Sequence, residues 1–334
     1  MLAFRVKQGK LISVARPLPK LKKGWALVRV RLAGICNTDA EILRGYHSFR
    51  RTPGHEFVGE VAEVEGVSAA ERRNWMERRV CGEINVTCSA YGFKPECEFC
   101  QRGLRTHCAR RTVLGIVAHD GAFAEYLTLP LENLHVVPTS VSDEEAVFAE
   151  PLAAACEIPE QVDLENVPAA AVLGDGKLGQ LIARVLKSAV PRVVLYGKHR
   201  NKLEIASRAG IETTKVRGNS RDLARVKETF PLLVEATGSS NGLALAQRMT
   251  EPRGTLVLKS TFHGVASVET WPIVVKEINV VGSRCGPFEK AAALLRSGAI
   301  EVKPLISRMF ALAEAQQAMA FAQRAGVLKV LLKP

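Results

Sequence analysis

The sequence predicts an α/β protein in which a doubly wound parallel sheet is joined to a second, β-rich domain. Three observations carry that prediction. The apolar run Ala169–Leu173 ends in Gly174-Asp175-Gly176-Lys177-Leu178-Gly179, and apolar residues then recur at helical spacing at Leu178, Leu181, Ile182 and Val185. Beyond that unit, apolar strands and helical stretches alternate as in successive βαβ units. Ahead of Pro151 the chain reads instead as many short strands with few helices.

In order along the chain, Trp25–Leu32 (WALVRVRL) alternates and reads as a strand with one wet face. Phe57–Val64 and Arg79–Val86 are further strands, with glycines suited to bulges or barrel corners. Asp120-Gly121 suggests a hairpin leading into Ala122–Leu129. At Ser142–Ile158 a capping serine and acids open an Ala-rich helix. Strands are then expected at Ala169–Leu173, Arg192–Tyr196, Leu232–Ala236, Gly254–Lys259 and Ile278–Gly282, and helices at Lys177–Ser188, Lys202–Ala209, Ser220–Thr229 and Gly242–Met249. Phe288–Ser297 and Leu312–Ala325 look helical, and Val327–Leu332 is a closing strand expected to return to the first domain. The expected division is therefore 1–150 with 287–334 for the barrel-like domain and 151–286 for the doubly wound one.

The 334 residues suffice for two domains. The net charge of +12 is spread along the chain, and its densest stretch, Glu71–Arg79, interleaves acids with bases. That is the pattern of a solvated face, so no nucleic-acid partner is expected. No apolar run reaches bilayer-spanning length, and the opening MLAFRVKQGK has no apolar stretch after its charges. The expectation is a cytoplasmic protein without a membrane partner. Eight cysteines in such a chain argue against a disulfide framework, and five of them crowd between Cys81 and Cys108, which points to metal.

The Gly174–Gly179 turn carries a specific chemistry. Gly174 permits a tight turn, Gly176 lets backbone approach a pyrophosphate, and Gly179 lets helix and strand pack closely. With the free N–H groups at the helix start they form a dinucleotide-phosphate site, in which Asp175, Lys177 and Leu178 also fall. Metal-ligand types occur in three separated stretches, Gly34–Asp39, Pro53–Glu56 and Phe148–Leu152. Each alone reads as ordinary structure. Together, Cys36, His55 and Glu150 would make an open zinc site with a position left for substrate. Cys97, Cys100 and Cys108, at C-x2-C-x7-C spacing, signal a further zinc, with Cys88 as fourth thiolate and His107 as the alternative.

The ordered combination of Gly34–Asp39, Pro53–Glu56, Glu150-Pro151-Leu152 and Gly174–Gly179 resembles the zinc-dependent medium-chain dehydrogenase/reductase family, in its branch of alcohol, polyol, threonine and glucose dehydrogenases. The resemblance spans essentially the whole chain, including Val234–Gly238, where Thr237 is an expected cofactor contact. It implies a Rossmann sheet, a GroES-like barrel, a homo-oligomer, and hydride transfer between an alcohol and NAD(P). It implies that Cys36 and His55 bind a catalytic zinc, that Glu150 is a carboxylate ligand, and that Glu56 can approach or exchange on the metal. Thr38 matches the hydroxyl that relays the substrate's proton, and Asp39 the acid that orients the zinc histidine. The family's structural zinc lobe matches Cys97, Cys100 and Cys108, whereas Lys94 stands at its first cysteine.

At the end of the second Rossmann strand, where NAD enzymes usually place an acid, the chain has Gly197-Lys198-His199-Arg200. Three basic side chains there favour NADP over NAD. Glu41 and Asn85 match sugar-contacting positions of glucose members, but Val113 stands where those enzymes place a further acid. A polyol or sugar hydroxyl is therefore expected as substrate rather than glucose itself, with a simple-alcohol or threonine-type NAD dehydrogenase as the alternative. A zinc-free reductase of quinones or activated double bonds is disfavoured by Cys36, His55 and Glu150 together. A nucleic-acid-binding zinc ribbon is disfavoured by Gly174–Gly179 and by the lack of an aromatic-interleaved basic patch.

Overall fold

The small and branched residues of Ala169–Leu173 form an inner strand of a six-stranded parallel sheet, flanked by Arg192–Gly197 and Phe230–Glu235. Glu212–Lys215 lies beyond the first neighbour; Thr250–Leu258 and Asn279–Gly282 lie beyond the second. Parallel neighbours cannot be joined by tight turns, and the helices Lys177–Lys187, Arg200–Arg208 and Ser240–Met249 make the crossovers. Ala171, Val194, Phe230, Leu233 and Leu256 are fully buried in this sheet, which is why its inner strands read as unbroken apolar runs. Trp271–Val275 is a further short helix.

The computed structural model describes residues 1–216, 226–261 and 268–334. The helix expected at Ser220–Thr229 lies outside the described residues as far as residue 225, and Val226–Thr229 are not helical. The strand Glu212–Lys215 was not foreseen. Its sequence, ETTK, has no apolar run because it lies at the sheet edge, partly exposed.

Packing divides the chain after Glu150. One unit comprises residues 1–150, 292–299 and 306–334, and the other 151–291 with 300–305. The hub of the first unit is the strand Trp25–Ile35, which pairs antiparallel with Glu56–Glu65, Tyr126–Pro130 and Lys329–Lys333. Arg79–Gly82, Leu134–Val136 and Ile306–Ala311 complete a seven-stranded sheet. The hub is wet only at Arg29 and Arg31, whose guanidinium groups pair with Glu60 and Asp143. Burial of its other residues replaces the expected wet face.

Two local expectations change. Ser142–Ile158 is not one helix but three short ones, Asp143–Ala146, Ala149–Cys156 and Ile158–Gln161. Asp120-Gly121 does not turn a hairpin but docks on the segment that leads to His55. Asp120 Oδ1 accepts from Thr52 N at 2.9 Å, and Gly121 N donates to Thr52 O at 2.7 Å. Ala122 N and Phe123 N then donate to Gly54 O and Pro53 O. The approach is so close that a Cβ on Gly121 would stand 2.1 Å from Gly54 O and 2.6 Å from Pro53 O. Gly121→Ala should therefore force the two backbones apart and cost about 2–3 kcal/mol, read as a lower midpoint in denaturant unfolding. An unchanged midpoint would show that the segment has room to spare.

Candidate active site

Cys36 ends the hub strand's run and precedes the helix Asn37–Leu43. Asp39, in the first turn of that helix and fully buried, ties two segments together. Its Oδ2 accepts from Cys36 N at 2.8 Å, and its Oδ1 accepts from Gly54 N at 3.2 Å. The same Oδ1 lies 3.5 Å from His55 Nδ1. Gly54 has φ +95°, a left-handed conformation that suits glycine, and Phe123 fills the space beside it. Backbone and carboxylate thus deliver His55 to Cys36.

His55 is buried, and burial alone would lower its pKa. The negative charges of Asp39 and Cys36 outweigh that and hold it well above the ordinary value. Beside His55, Glu56 is fully buried, and its Oε2 accepts from Lys329 Nζ, the ammonium of a fully buried lysine on the last strand. That ammonium also lies 5.4 Å from the Phe148 ring centre. Gly34 makes the space, since a Cβ there would stand 2.4 Å from Glu56 Oε2.

Cys36, His55 and Glu56 each offer a ligand atom within 4.8 Å of one another. Glu56 Oε1 and His55 Nδ1 are buried without a hydrogen-bond partner among the described residues. A thiolate, an imidazole and a carboxylate with unspent lone pairs fit zinc in an open site. Thr38 Oγ1 lies 3.8 Å from Cys36 Sγ. Glu150 is outside the group; it stands in the first turn of Ala149–Cys156, partly buried. The carboxylate that the structure brings to Cys36 and His55 is Glu56, its chain neighbour. Glu41 is buried and ion-paired with Arg44 at 2.5 Å, and Asn85 pairs in register with Val113.

The sulfurs of Cys88, Cys97, Cys100 and Cys108 also lie within 4.8 Å of one another. The Cys88–Cys100 and Cys97–Cys108 separations are both 3.7 Å, the edge of a tetrahedron with zinc–sulfur bonds of about 2.3 Å. Backbone N–H groups of Cys88, Cys97 and Ala109 donate to sulfurs in the group. Such N–H donation holds the Cys97 thiol down at about 6. His107, the alternative ligand, is not in the group. Trp25 fastens the lobe to the barrel by donating from Nε1 to Ala90 O at 3.1 Å.

In the other unit, Gly174 has φ +120°, and a Cβ on Gly179 would stand 1.9 Å from Gly174 O. Both glycines are thus required by the close turn between strand and helix. A cavity beside it is lined by Gly174, Asp175, Lys198, His199, Lys202 and Thr237, among others. Thr237 Oγ1 donates to Glu235 Oε1 at 2.6 Å. Gly176 also lines the cavity, whereas Lys177, Leu178 and Gly179 do not. Arg200 is not among the lining residues either. It opens the helix with its side chain 85% exposed and paired with Glu204. Lys202, which sequence reading treated as an ordinary helix residue, is buried in the lining instead.

Residues 22–139 match the alcohol dehydrogenase GroES-like domain. The whole chain is similar to erythritol/L-threitol dehydrogenase of Mycolicibacterium smegmatis, at 28% identity over 90% of this chain and 88% of the relative. It is similar in structure to a protein described as a zinc-binding dehydrogenase from Sinorhizobium meliloti 1021, bound to NADP. That match has a TM-score of 0.87 and 26% identity over 100% of this chain and 99% of the other. A third match, with the same TM-score of 0.87, is the alcohol dehydrogenase RspB of Escherichia coli CFT073 with NADH, at 27% identity over 100% and 99% of the two chains. The matched domain and these whole-length similarities are consistent with the medium-chain dehydrogenase/reductase family. The chain's GroES-like part carries both cysteine groups, and its Rossmann part carries the glycine turn.

Two outcomes follow from this geometry. Cys88→Ser and Cys100→Ser should each lower bound zinc, measured by metal analysis, by about one equivalent per chain and reduce thermal stability; unchanged zinc would remove the four-sulfur site. Lys329→Met should leave Glu56 as an unpaired buried charge and cost about 3–5 kcal/mol, much of it recovered when Glu56→Gln is added. Equal stability of Lys329→Met and the unsubstituted protein in denaturant unfolding would show that the pair is dispensable.

Proposed function

We propose that the protein is a zinc-dependent dehydrogenase that moves hydride between a polyol or sugar hydroxyl and NAD(P). The observation that carries this reading is the convergence of Cys36, His55 and Glu56 beside the Thr38 hydroxyl, in a chain that also holds the dinucleotide turn. Cys36 and His55 would hold the metal, with a carboxylate from Glu56 or Glu150 completing the protein ligands. Of the two absent groups, zinc supplies Lewis-acid activation of the hydroxyl and the nicotinamide accepts the hydride. Thr38 Oγ1 takes the proton that the hydroxyl gives up and passes it outward. Asp39 holds the His55 ring in place through the short span to Nδ1. Lys329 holds one oxygen of Glu56 and leaves the other facing the ligand group. Cys88, Cys97, Cys100 and Cys108 would hold a second zinc that stabilises their lobe.

The polyhydroxylated substrate rests on Glu41 and Asn85, two buried polar residues at positions that match sugar-contacting ones of glucose members. NADP is favoured over NAD because Lys198, His199 and Lys202 line the cavity. The preference should be modest, because the Asp175 carboxylate stands among them. A homo-oligomer is supported by the open sheet edge at Asn279–Gly282. Val280 there and Trp271, Val274 and Val275 nearby in sequence are exposed. Among the described residues no helix is long and apolar enough to cross a membrane, and a cytoplasmic setting remains our reading.

The deciding experiment is reduction of NADP and NAD by a panel of polyols, aldoses and simple alcohols. Turnover should be highest with a polyol or sugar, with an NADP/NAD ratio of kcat/KM near tenfold, or about 1.4 kcal/mol. His55→Ala should abolish turnover while dinucleotide affinity stays within about threefold, since the two sites lie in different units. Full activity in a zinc-free His55→Ala protein would refute zinc catalysis.

A further inference from the structure

The carboxylate of Asp175 occupies the space that Gly197 leaves open. A Cβ on Gly197 would stand 2.4 Å from Asp175 Cβ and 2.7 Å from Asp175 Oδ2. Oδ2 accepts from the backbone N–H groups of Lys198 and His199, both at 2.7 Å, and His199 Nδ1 lies 3.1 Å from it. Asp175 therefore reaches from the first turn of the sheet across to the end of the second strand. It is only 7% exposed, yet it lines the cavity together with Lys198, His199 and Lys202. Lys202 is 8% exposed, and its ammonium makes no hydrogen bond among the described residues. Burial lowers its pKa, and Asp175 is the negative charge that opposes that shift. Positions 175 and 197 thus compete for one place, and only one of them can carry a side chain into it.

In a doubly wound sheet this place is where the adenosine ribose is read, by a carboxylate for a free 2′-hydroxyl or by basic groups for a 2′-phosphate. We propose that Asp175 does this reading: it supplies from the first turn the carboxylate that position 197 lacks, and its charge limits the cavity's preference for a 2′-phosphate. The inference rests on the dinucleotide reading of the cavity. Oδ1, whose only partner among the described residues is His199 Nδ1 at 3.2 Å, has a lone pair for a ribose hydroxyl. Toward a 2′-phosphate the same carboxylate is repulsive, while Lys198, His199 and Lys202 attract. The cavity holds both kinds of reader at once.

Adenosine 5′-phosphate and adenosine 2′,5′-bisphosphate isolate this recognition, because neither carries a nicotinamide or engages a metal centre. Their affinities for the full-length protein can be measured by titration calorimetry. Asp175→Asn should raise the bisphosphate/monophosphate affinity ratio about tenfold. Asp175→Gly combined with Gly197→Asp restores a carboxylate from the other side without leaving two Cβ atoms in one place, and should return the ratio to within about threefold of the unsubstituted protein. Gly197→Asp alone should lower thermal stability, since both side chains then claim one space. An unchanged ratio in Asp175→Asn overturns the proposal, and so does a double variant whose ratio stays tenfold raised. Should Asp175→Asn fail to fold, the double variant decides by the same criterion. Failure of the unsubstituted protein to bind either nucleotide would instead refute the dinucleotide reading and take this proposal with it.

Discussion

Burying charged ligands obliges the fold to bring opposite charge to them. Glu56 and Asp39 are both fully removed from solvent beside Cys36, a cost that only compensating partners can offset. Lys329 meets Glu56, and the His55 ring lies between Asp39 and Cys36. The arrangement of the first unit follows from this requirement. The last strand must run beside Trp25–Ile35 so that Lys329 reaches Glu56, and the hub strand must carry glycine at position 34 so that the carboxylate has a place to lie. Gly54 and Gly121 serve the same end from the other direction. They let two backbones touch, and the touching segment aims His55.

The second unit solves its problem by geometry rather than by charge. Glycines at 174 and 179 bring strand and helix into contact, and a third at 197 leaves room for a side chain from another turn. The cavity floor therefore holds an acid among bases although the strand end that normally bears the acid has none. Recognition there is assembled across two turns, neither of which contains it alone.

Much of this was legible in the residues. The inner strands Ala169–Leu173 and Arg192–Gly197 are apolar enough to be read directly, because both of their faces are covered. Cys97, Cys100 and Cys108 announce a metal lobe by spacing, and Cys88 follows because a nine-residue separation leaves slack for a loop. What stayed hidden depends on long-range placement. Asp120-Gly121 has the composition of a hairpin but spends its hydrogen bonds on Thr52, Pro53 and Gly54. Nothing in the strand KVLLK says that its lysine is buried, since lysine is ordinarily a surface residue. Glu150 was legible as a ligand type, but which carboxylate sits nearest Cys36 depends on side-chain direction, which composition does not encode. Arg200 and Lys202 lie two residues apart on one helix, and only the direction of each side chain tells which faces the cavity.

The pairing of Lys329 with Glu56 also sets an order of events. Those partners are 273 residues apart, and the second unit, nearly continuous from 151 to 291, lies between them in the chain. During synthesis the hub strand Trp25–Ile35 emerges early but waits for its neighbour Lys329–Lys333 until almost everything else has been made. Closing so long a loop costs more entropy than a local hairpin, but the cost rises only logarithmically with length. If the intervening unit folds first, it shortens the effective loop and carries the two strands toward each other. The nascent barrel meanwhile leaves the Ala33–Ile35 end of its hub strand without the neighbour that covers it, an open strand edge where wrong partners could pair.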